Sequence, residues 1–252
     1  MVRGIEVFRE QFADYTGQYV FIGGTACDII LGRQDVDFRV TKDFDIVLVI
    51  EALDADFINR FVSFITDGGY EHINKGTGEN QFYRFSNPSD SSFPGMIELF
   101  SRRPEYLNTI DTQLSPIHIS DDTVSLSAIL LDDEYYELLR NGAIEVEGVS
   151  VLDIEYLILF KMKAWLDLSW RKNRGESVDS KSIKKHKNDV IRLAVNMPLN
   201  SKLDVQGQIK KDAEAFLDEL KNEKVDLRSL GIRGVSIDDI IERMRECYGI
   251  GE

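Results

Sequence analysis

The stretch Phe21-Ile-Gly23-Gly24-Thr25-Ala26, followed after a short helical segment by Arg39-Val-Thr41-Lys-Asp43-Phe-Asp45-Ile-Val-Leu-Val-Ile50, decides how the rest of the chain is read. It reads as an apolar strand, a glycine turn, a helix start and a second strand with two carboxylates near its beginning. Residues two apart on a strand share a face. Asp43 and Asp45 are therefore predicted to point one way, and Phe44, Ile46 and Leu48 the other. Two neighbouring carboxylates repel unless a cation lies between them, and a divalent metal is the usual solution. Gly23 and Gly24 let the backbone approach a ligand closely. Thr25 and the amides after it open a helix whose N-terminus favours an anion.

Taken singly, a Gly-Gly after a strand is an ordinary turn, and an Asp-x-Asp is an ordinary solvated strand end. Their order within one strand–turn–helix–strand unit joins an anion cradle to a cation site. Transfer of a nucleotidyl group needs that pair of features.

Composition sets the frame. The 252 residues suffice for one large domain or two small ones with a substantial core. Hydrophobic residues at 43% and charged residues at 29% are ordinary for a globular protein. No uncharged apolar run approaches the roughly 18 residues of a membrane span, so none is expected. The N-terminus lacks the apolar run of a signal peptide. Cys27 and Cys247 stand far apart without a partner pattern, which leads us to expect a reduced, cytoplasmic setting. A net charge of −14 opposes indiscriminate binding to nucleic acid but leaves room for a local basic patch.

In chain order, Ile5, Phe8, Phe12 and Tyr15 recur at helical spacing and predict a first helix ending near Gly17. Tyr19–Ile22 is the first strand, 25–31 a short helix closed by Gly32, and 37–50 contains the second strand. Residues 46–50 are apolar on both faces, as suits an interior strand. A helix over 54–66, with Phe57, Phe61, Phe64 and Ile65 as its stripe, is stopped by Gly68-Gly69. Strands follow at 70–74 and 81–86, then a Pro- and Ser-rich loop at 87–95, then the strand 96–100, apolar except for Glu98. Burying that acid among Met96, Ile97, Leu99 and Phe100 is unfavourable unless it is paired or metal-bound. Asp90, in the loop, is the other acid available nearby.

A strand over 124–131, a helix over 133–139 and strand sequence around Gly148 complete the first part. Beyond residue 150 the chain is nearly all helical: 153–170, 181–195, 209–220, and a last helix opened by Ser236 with Asp239. The expected fold is α/β (α+β), a mixed sheet with flanking helices over 1–150 followed by a helical domain over 151–252.

The order Gly23-Gly24-Thr25-Ala26, a helix, then Arg39-x-Thr41-x-Asp43-x-Asp45 resembles the nucleotidyltransferase superfamily that includes DNA polymerase β. Within it, the chain is most similar to AbiEii-type toxins of type IV toxin–antitoxin systems. The resemblance covers roughly residues 20 to 195. It implies a third metal ligand on a later strand of the same sheet, for which Glu98 is the match. Asp43, Asp45 and Glu98 would then hold two Mg²⁺ ions, and Gly23, Gly24 and Thr25 the phosphates of a bound NTP, in a cleft between the two domains. In the family's second shared part, a lysine precedes an alanine by three positions on an apolar helix, and a basic residue and an aspartate follow on the next helix. Lys161 with Ala164 matches the first element, and Lys185 with Asp189 the second. The resemblance implies that Lys161 reaches the triphosphate and that Asp189 orients Lys161 or binds the acceptor.

Some positions depart from the family's pattern. Arg171 comes later than the arginine that often follows the family's alanine, His186 replaces an acid, and Thr25 stands where polymerase-like members carry serine. On residues alone, Lys161 reads equally as a surface lysine with a buried stem, and its apolar neighbours could pack without it.

The implied activity is Mg²⁺-dependent transfer of a nucleoside monophosphate from an NTP to an acceptor hydroxyl. Between Arg171 and Arg192 lie Arg171, Lys172, Arg174, Lys181, Lys184, Lys185, Lys187 and Arg192 against Glu176, Asp179 and Asp189, which suits an RNA acceptor. The resemblance adds an antitoxin protein as a partner. Two rivals remain open: a catalytically silent nucleotide-binding or interaction module, and transfer to a small molecule such as an aminoglycoside.

Overall fold

The structure, a computed structural model, describes residues 2–71, 83–102, 114–117 and 126–251. It divides into two compact units, Met1–Asp153 and Ile154–Glu252. The first is a mixed α/β unit. Helix α1 (Ile5–Phe12) runs into a 3-10 turn and strand β1 (Tyr19–Ile22), which passes directly into α2 (Gly23–Gly32). Strand β2 (Asp43–Leu48) and helix α3 (Ala55–Asp67) follow. Next come β3 (Arg84–Ser86), β4 (Met96–Arg102), β5 (Leu114–Ile117), β6 (Leu126–Leu131), α4 (Asp133–Gly142) and the hairpin of β7 (Ala143–Val146) and β8 (Val149–Leu152).

The eight strands form one sheet in the order β5-β6-β4-β2-β1-β8-β7, with β3 paired to β4 off this path. Pairings β1–β2, β3–β4, β5–β6 and β7–β8 are antiparallel, whereas β2–β4, β4–β6 and β1–β8 are parallel. The strand predicted over 70–74 is represented by Glu71, which bridges Ser86; residues 72–74 lie outside the described residues.

The alternation of β2 is explained by what covers its apolar face. Phe44 is fully buried and meets Phe21 edge-on at 4.9 Å and Phe8 at 5.6 Å. The stripes of α1 and α3 join the same cluster: Phe8 meets Phe64 at 5.6 Å, and Phe12 meets Phe57 at 5.6 Å. Edge-to-face pairs of this kind add about 0.5–1.5 kcal/mol each beyond burial. Ile58, rather than the expected Ile65, completes the buried stripe of α3. Asp54 caps that helix, accepting from the Phe57 N–H at 2.8 Å. With the aromatic cluster filling one side of β2, its carboxylates face the other.

The second unit consists of α5 (Ile154–Asn173), α6 (Ser180–Asn196), α7 (Gly207–Asn222) and α8 (Ile237–Tyr248), with a 3-10 turn before α8. Helix α5 packs against α6 and α7, and α8 closes on both. Ser236 and Asp239 form a reciprocal capping box at the start of α8, and Gly249 ends it in a left-handed conformation. No helix of the described residues is long and apolar enough to cross a membrane.

Candidate active site

The register of the sheet assembles the candidate site. Ile22 of β1 lies opposite Asp45 of β2. Asp45 is paired in parallel with Glu98 of β4, and Glu98 is paired with Arg84 of β3. One row thus crosses four strands: Ile22, Asp45, Glu98, Arg84. Neighbouring strands are about 4.8 Å apart, so Asp45 and Glu98 stand side by side, with Asp43 two residues earlier on the same face. All three carboxylates are half-buried, while Phe44, Ile46, Ile97 and Leu99 between them are buried. Asp43, Asp45 and Glu98 therefore share a sheet face.

The turn from β1 into α2 forms the wall beside this row. Gly23 adopts φ +68, a left-handed conformation that lets the strand pass straight into the helix. A Cβ at Gly23 would sit 1.8 Å from Asp45 Oδ2, so the carboxylate lies directly against the bare backbone at the start of α2. A Cβ at Gly24 would sit 2.8 Å from Thr41 Oγ1 and 3.1 Å from an Arg39 guanidinium nitrogen. The N-terminus of α2 has no side-chain cap, and its first amides are the kind of donors that a phosphate accepts from.

Thr25 does something the sequence did not suggest. It is fully buried, and its hydroxyl donates to the Asp43 carbonyl at 2.7 Å. Its side chain therefore ties α2 to β2; Gly24 is buried beside it, and Gly23 is half-buried.

Glu98 is engaged from its other side. Arg84 donates from Nε to Glu98 Oε1 at 2.6 Å, and its terminal nitrogen pairs with the same oxygen. Arg84 is a residue that sequence reading missed; its only signal was a cation within the strand predicted over 81–86. Arg39 and Thr41 were visible as part of the alternating run Arg39, Thr41, Asp43, Asp45, but their approach to Gly24 was not. Asp90, the other acid available nearby, is engaged in its own turn. Its Oδ1 accepts from the Ser92 N–H and hydroxyl, both at 2.8 Å, and these bonds hold its carboxyl below the usual range.

The chemistry of this set fits a hard divalent cation, since all the donors are carboxylate oxygens. Among the described residues no three His, Cys, Asp or Glu side chains already stand as a ready-made metal cluster.

Lys161 and Asp189 come together inside the helical unit. Lys161 Nζ lies 3.3 Å from Asp189 Oδ2, with the two side chains 5% and 1% exposed. The reading of Lys161 as a surface lysine is thus overturned; it is held in the α5–α6 contact. Lys185, one turn before Asp189, is exposed. The basic segment is also less uniform than its sequence. Arg171 pairs with Glu176 at 2.7 Å, and Lys187 is buried in a pair with Glu223. Lys172, Arg174, Lys181, Lys184 and Lys185 remain exposed.

No family model matches the chain, and no curated protein matches it. Among solved structures, it is similar to the crystal structure of the Megavirus polyadenylate synthase, at a TM-score of 0.39 and 11% identity over 87% of this chain. The chain spans only 36% of that protein's length. It is also similar to a structure described as "putative nucleotidyltransferase from H. pylori", at a TM-score of 0.31 and 17% identity over 98% of this chain and 89% of that one. Likenesses this distant carry no argument, and the functional reading rests on the geometry above.

Proposed function

We propose that the chain is a metal-dependent nucleotidyltransferase that moves a nucleoside monophosphate from an NTP to an acceptor hydroxyl. One observation carries the reading: Asp43, Asp45 and Glu98 share one sheet face beside a helix N-terminus opened by two glycines. In this reading Asp43 and Asp45 hold Mg²⁺, and Glu98 joins them when Arg84 releases it. When bound, the cation supplies charge neutralisation at the transferring phosphoryl group and lowers the pKa of the acceptor hydroxyl. The Gly23 and Gly24 backbone faces the phosphates, Arg39 adds a cation near Gly24, and Thr25 holds α2 at its distance from β2.

The test is thermal melting with and without Mg²⁺ and NTP. Ligand should raise the midpoint of the wild type. Asp45→Asn should abolish that shift and, by relieving carboxylate repulsion, leave the ligand-free protein at least as stable. An identical ligand-induced shift in both proteins overturns the site.

A second reading, a binding module without chemistry, is favoured by one specific observation, the Arg84–Glu98 pair, which neutralises the third acid. Arg84→Gln separates the two. If the pair silences the site, turnover appears only in the variant; if Arg84 merely positions Glu98, turnover is present in the wild type.

RNA as the acceptor is supported by the exposed lysines and Arg174 of the helical unit. Transfer of labelled nucleotide to total RNA, against a panel of small hydroxylated acceptors, tests it. Labelling of small acceptors alone sinks the RNA reading. A toxin role with an antitoxin partner belongs to the same proposal. Growth arrest on expression, dependent on Asp45 and relieved by a co-expressed neighbouring gene product, is the expected outcome.

A further inference from the structure

The helical unit contains a cavity of about 430 Å³ between the end of α5, the start of α6 and the end of α7, a volume within the range of small-ligand sites. Its floor is apolar: Trp165 is 6% exposed and braced edge-on by Phe216 at 5.2 Å, and Ile183 lies beside it. Its rim holds Trp170, 58% exposed, a large aromatic that folding has left in water. Arg174 covers one face of that indole, its guanidinium 4.4 Å from the ring centroid. Arg174 and Lys172 are both exposed at this edge, and Lys172 is steadied by its hydrogen bond to the Ser180 hydroxyl at 2.7 Å.

Two carboxylates border the same cavity, and they differ. Glu223 is neutralised by Lys187. Glu219, exposed on α7, has no cationic partner among the described residues. An indole for stacking, two cations for phosphate and one carboxylate that accepts hydrogen bonds together describe a nucleotide whose base carries donors.

We propose that this cavity is a subsite for a base of a single-stranded RNA acceptor, with guanine favoured; the proposal rests on the reading of the acceptor as RNA. The base stacks on Trp170, as unpaired bases do on aromatic side chains. The guanine N1–H and N2 amino group both donate to the Glu219 carboxylate; uracil has only a single N–H there and turns carbonyl oxygens toward the acid. Lys172 and Arg174 take the flanking phosphates.

Both tryptophans of the chain line this cavity, so intrinsic tryptophan emission reports on it alone. The full-length protein is titrated in EDTA with GMP, AMP, UMP and a guanine-containing single-stranded oligoribonucleotide. Saturable quenching is expected, with GMP bound about tenfold more tightly than UMP, the discrimination of one charge-assisted hydrogen bond. Trp170→Leu should abolish the quenching while Trp165 still emits and the melting midpoint is kept. Glu219→Gln should remove the preference for GMP but retain stacking, and Lys172→Gln with Arg174→Gln should flatten the salt dependence of oligonucleotide binding. No quenching at millimolar nucleotide, equal response to GMP and UMP, or quenching that survives Trp170→Leu overturns the proposal. Because EDTA removes divalent cations, this titration is independent of the Asp43–Asp45–Glu98 site. Failure of either reading is therefore seen separately from failure of the other.

Discussion

Replacing Lys161 by Met keeps the length of the side chain and removes its charge. Because its apolar neighbours could pack around either, the sequence alone suggests a mild effect on folding. The structure argues otherwise. Lys161 Nζ is 3.3 Å from Asp189 Oδ2, and both side chains are almost wholly withdrawn from water. At an effective dielectric constant near 20, opposite charges at that separation attract by about 5 kcal/mol, set against desolvation of similar size. The net worth of the intact pair is thus small, but the consequence of removing one member is large. Lys161→Met leaves the Asp189 charge buried without that partner, which costs about 3–5 kcal/mol.

Asp189→Asn should be comparably destabilising, whereas Lys161→Met combined with Asp189→Leu should return most of the loss. Urea unfolding followed by far-UV circular dichroism, to which the helices of both units contribute, reads the loss. With a slope of about 2 kcal/mol per molar urea, each single variant should lower the midpoint by about 2 M, and the double variant by much less. Single variants that shift the midpoint by under about 0.5 M, with the double variant equal to their sum, would refute the buried-pair argument.

Three further outcomes follow from the carboxylate site and the core. Thr25→Val preserves shape but leaves the Asp43 carbonyl without its 2.7 Å donor; a loss of about 1–3 kcal/mol is expected, read as a lower melting midpoint. Gly23→Ala meets both the positive φ, worth about 1–2 kcal/mol of strain, and a contact of 1.8 Å with Asp45 Oδ2. It should destabilise the protein and abolish the Mg²⁺–NTP melting shift; an unchanged shift would show that Asp45 does not need its present position. Burial, reinforced by Glu155, pushes the Cys247 thiol up to about 11. The folded state then holds its proton while the unfolded thiol ionises, so this contribution to stability is intact below about pH 8.5 and is lost as pH rises toward 11. Replacing Cys247 by Ala should remove that alkaline loss, and stability curves that fall in parallel between pH 9 and 11, the upper end being the folded value, would show that the thiol plays no part.

What could be read from the sequence was local. The β1–α2–β2 unit is a run of consecutive residues, so the period of two was enough to put Asp43 and Asp45 on one face and Phe44 on the other. The cap at Ser236 was legible for the same reason, since the cap and Asp239 are three residues apart. Glu98 stood out as a polar residue in an apolar strand, but its register opposite Asp45 depends on a parallel pairing across more than fifty intervening residues. Arg84 was hidden for the same reason, its meaning fixed only when β3 meets β4. The burial of Lys161 and Lys187 was also out of reach. Lys161 lies in an apolar stretch of α5 and Lys187 in a basic stretch of α6, and their burial is decided by partners far along the chain, Asp189 of α6 and Glu223 just after α7.

The aromatic cluster under β2 has a consequence for how the chain avoids folding wrongly. A strand that slips by one residue exchanges its two faces. For β2 that exchange would press Asp43 and Asp45 into the rings of Phe8, Phe21 and Phe64 and expel Phe44 into solvent. Two buried, unpaired acids and one exposed phenyl ring make the slipped sheet untenable by many times thermal energy. The acids therefore act as a proofreading signal during assembly as well as a place for chemistry. Exchanging them for apolar residues would remove that signal and leave β2 with two acceptable registers where it now has one.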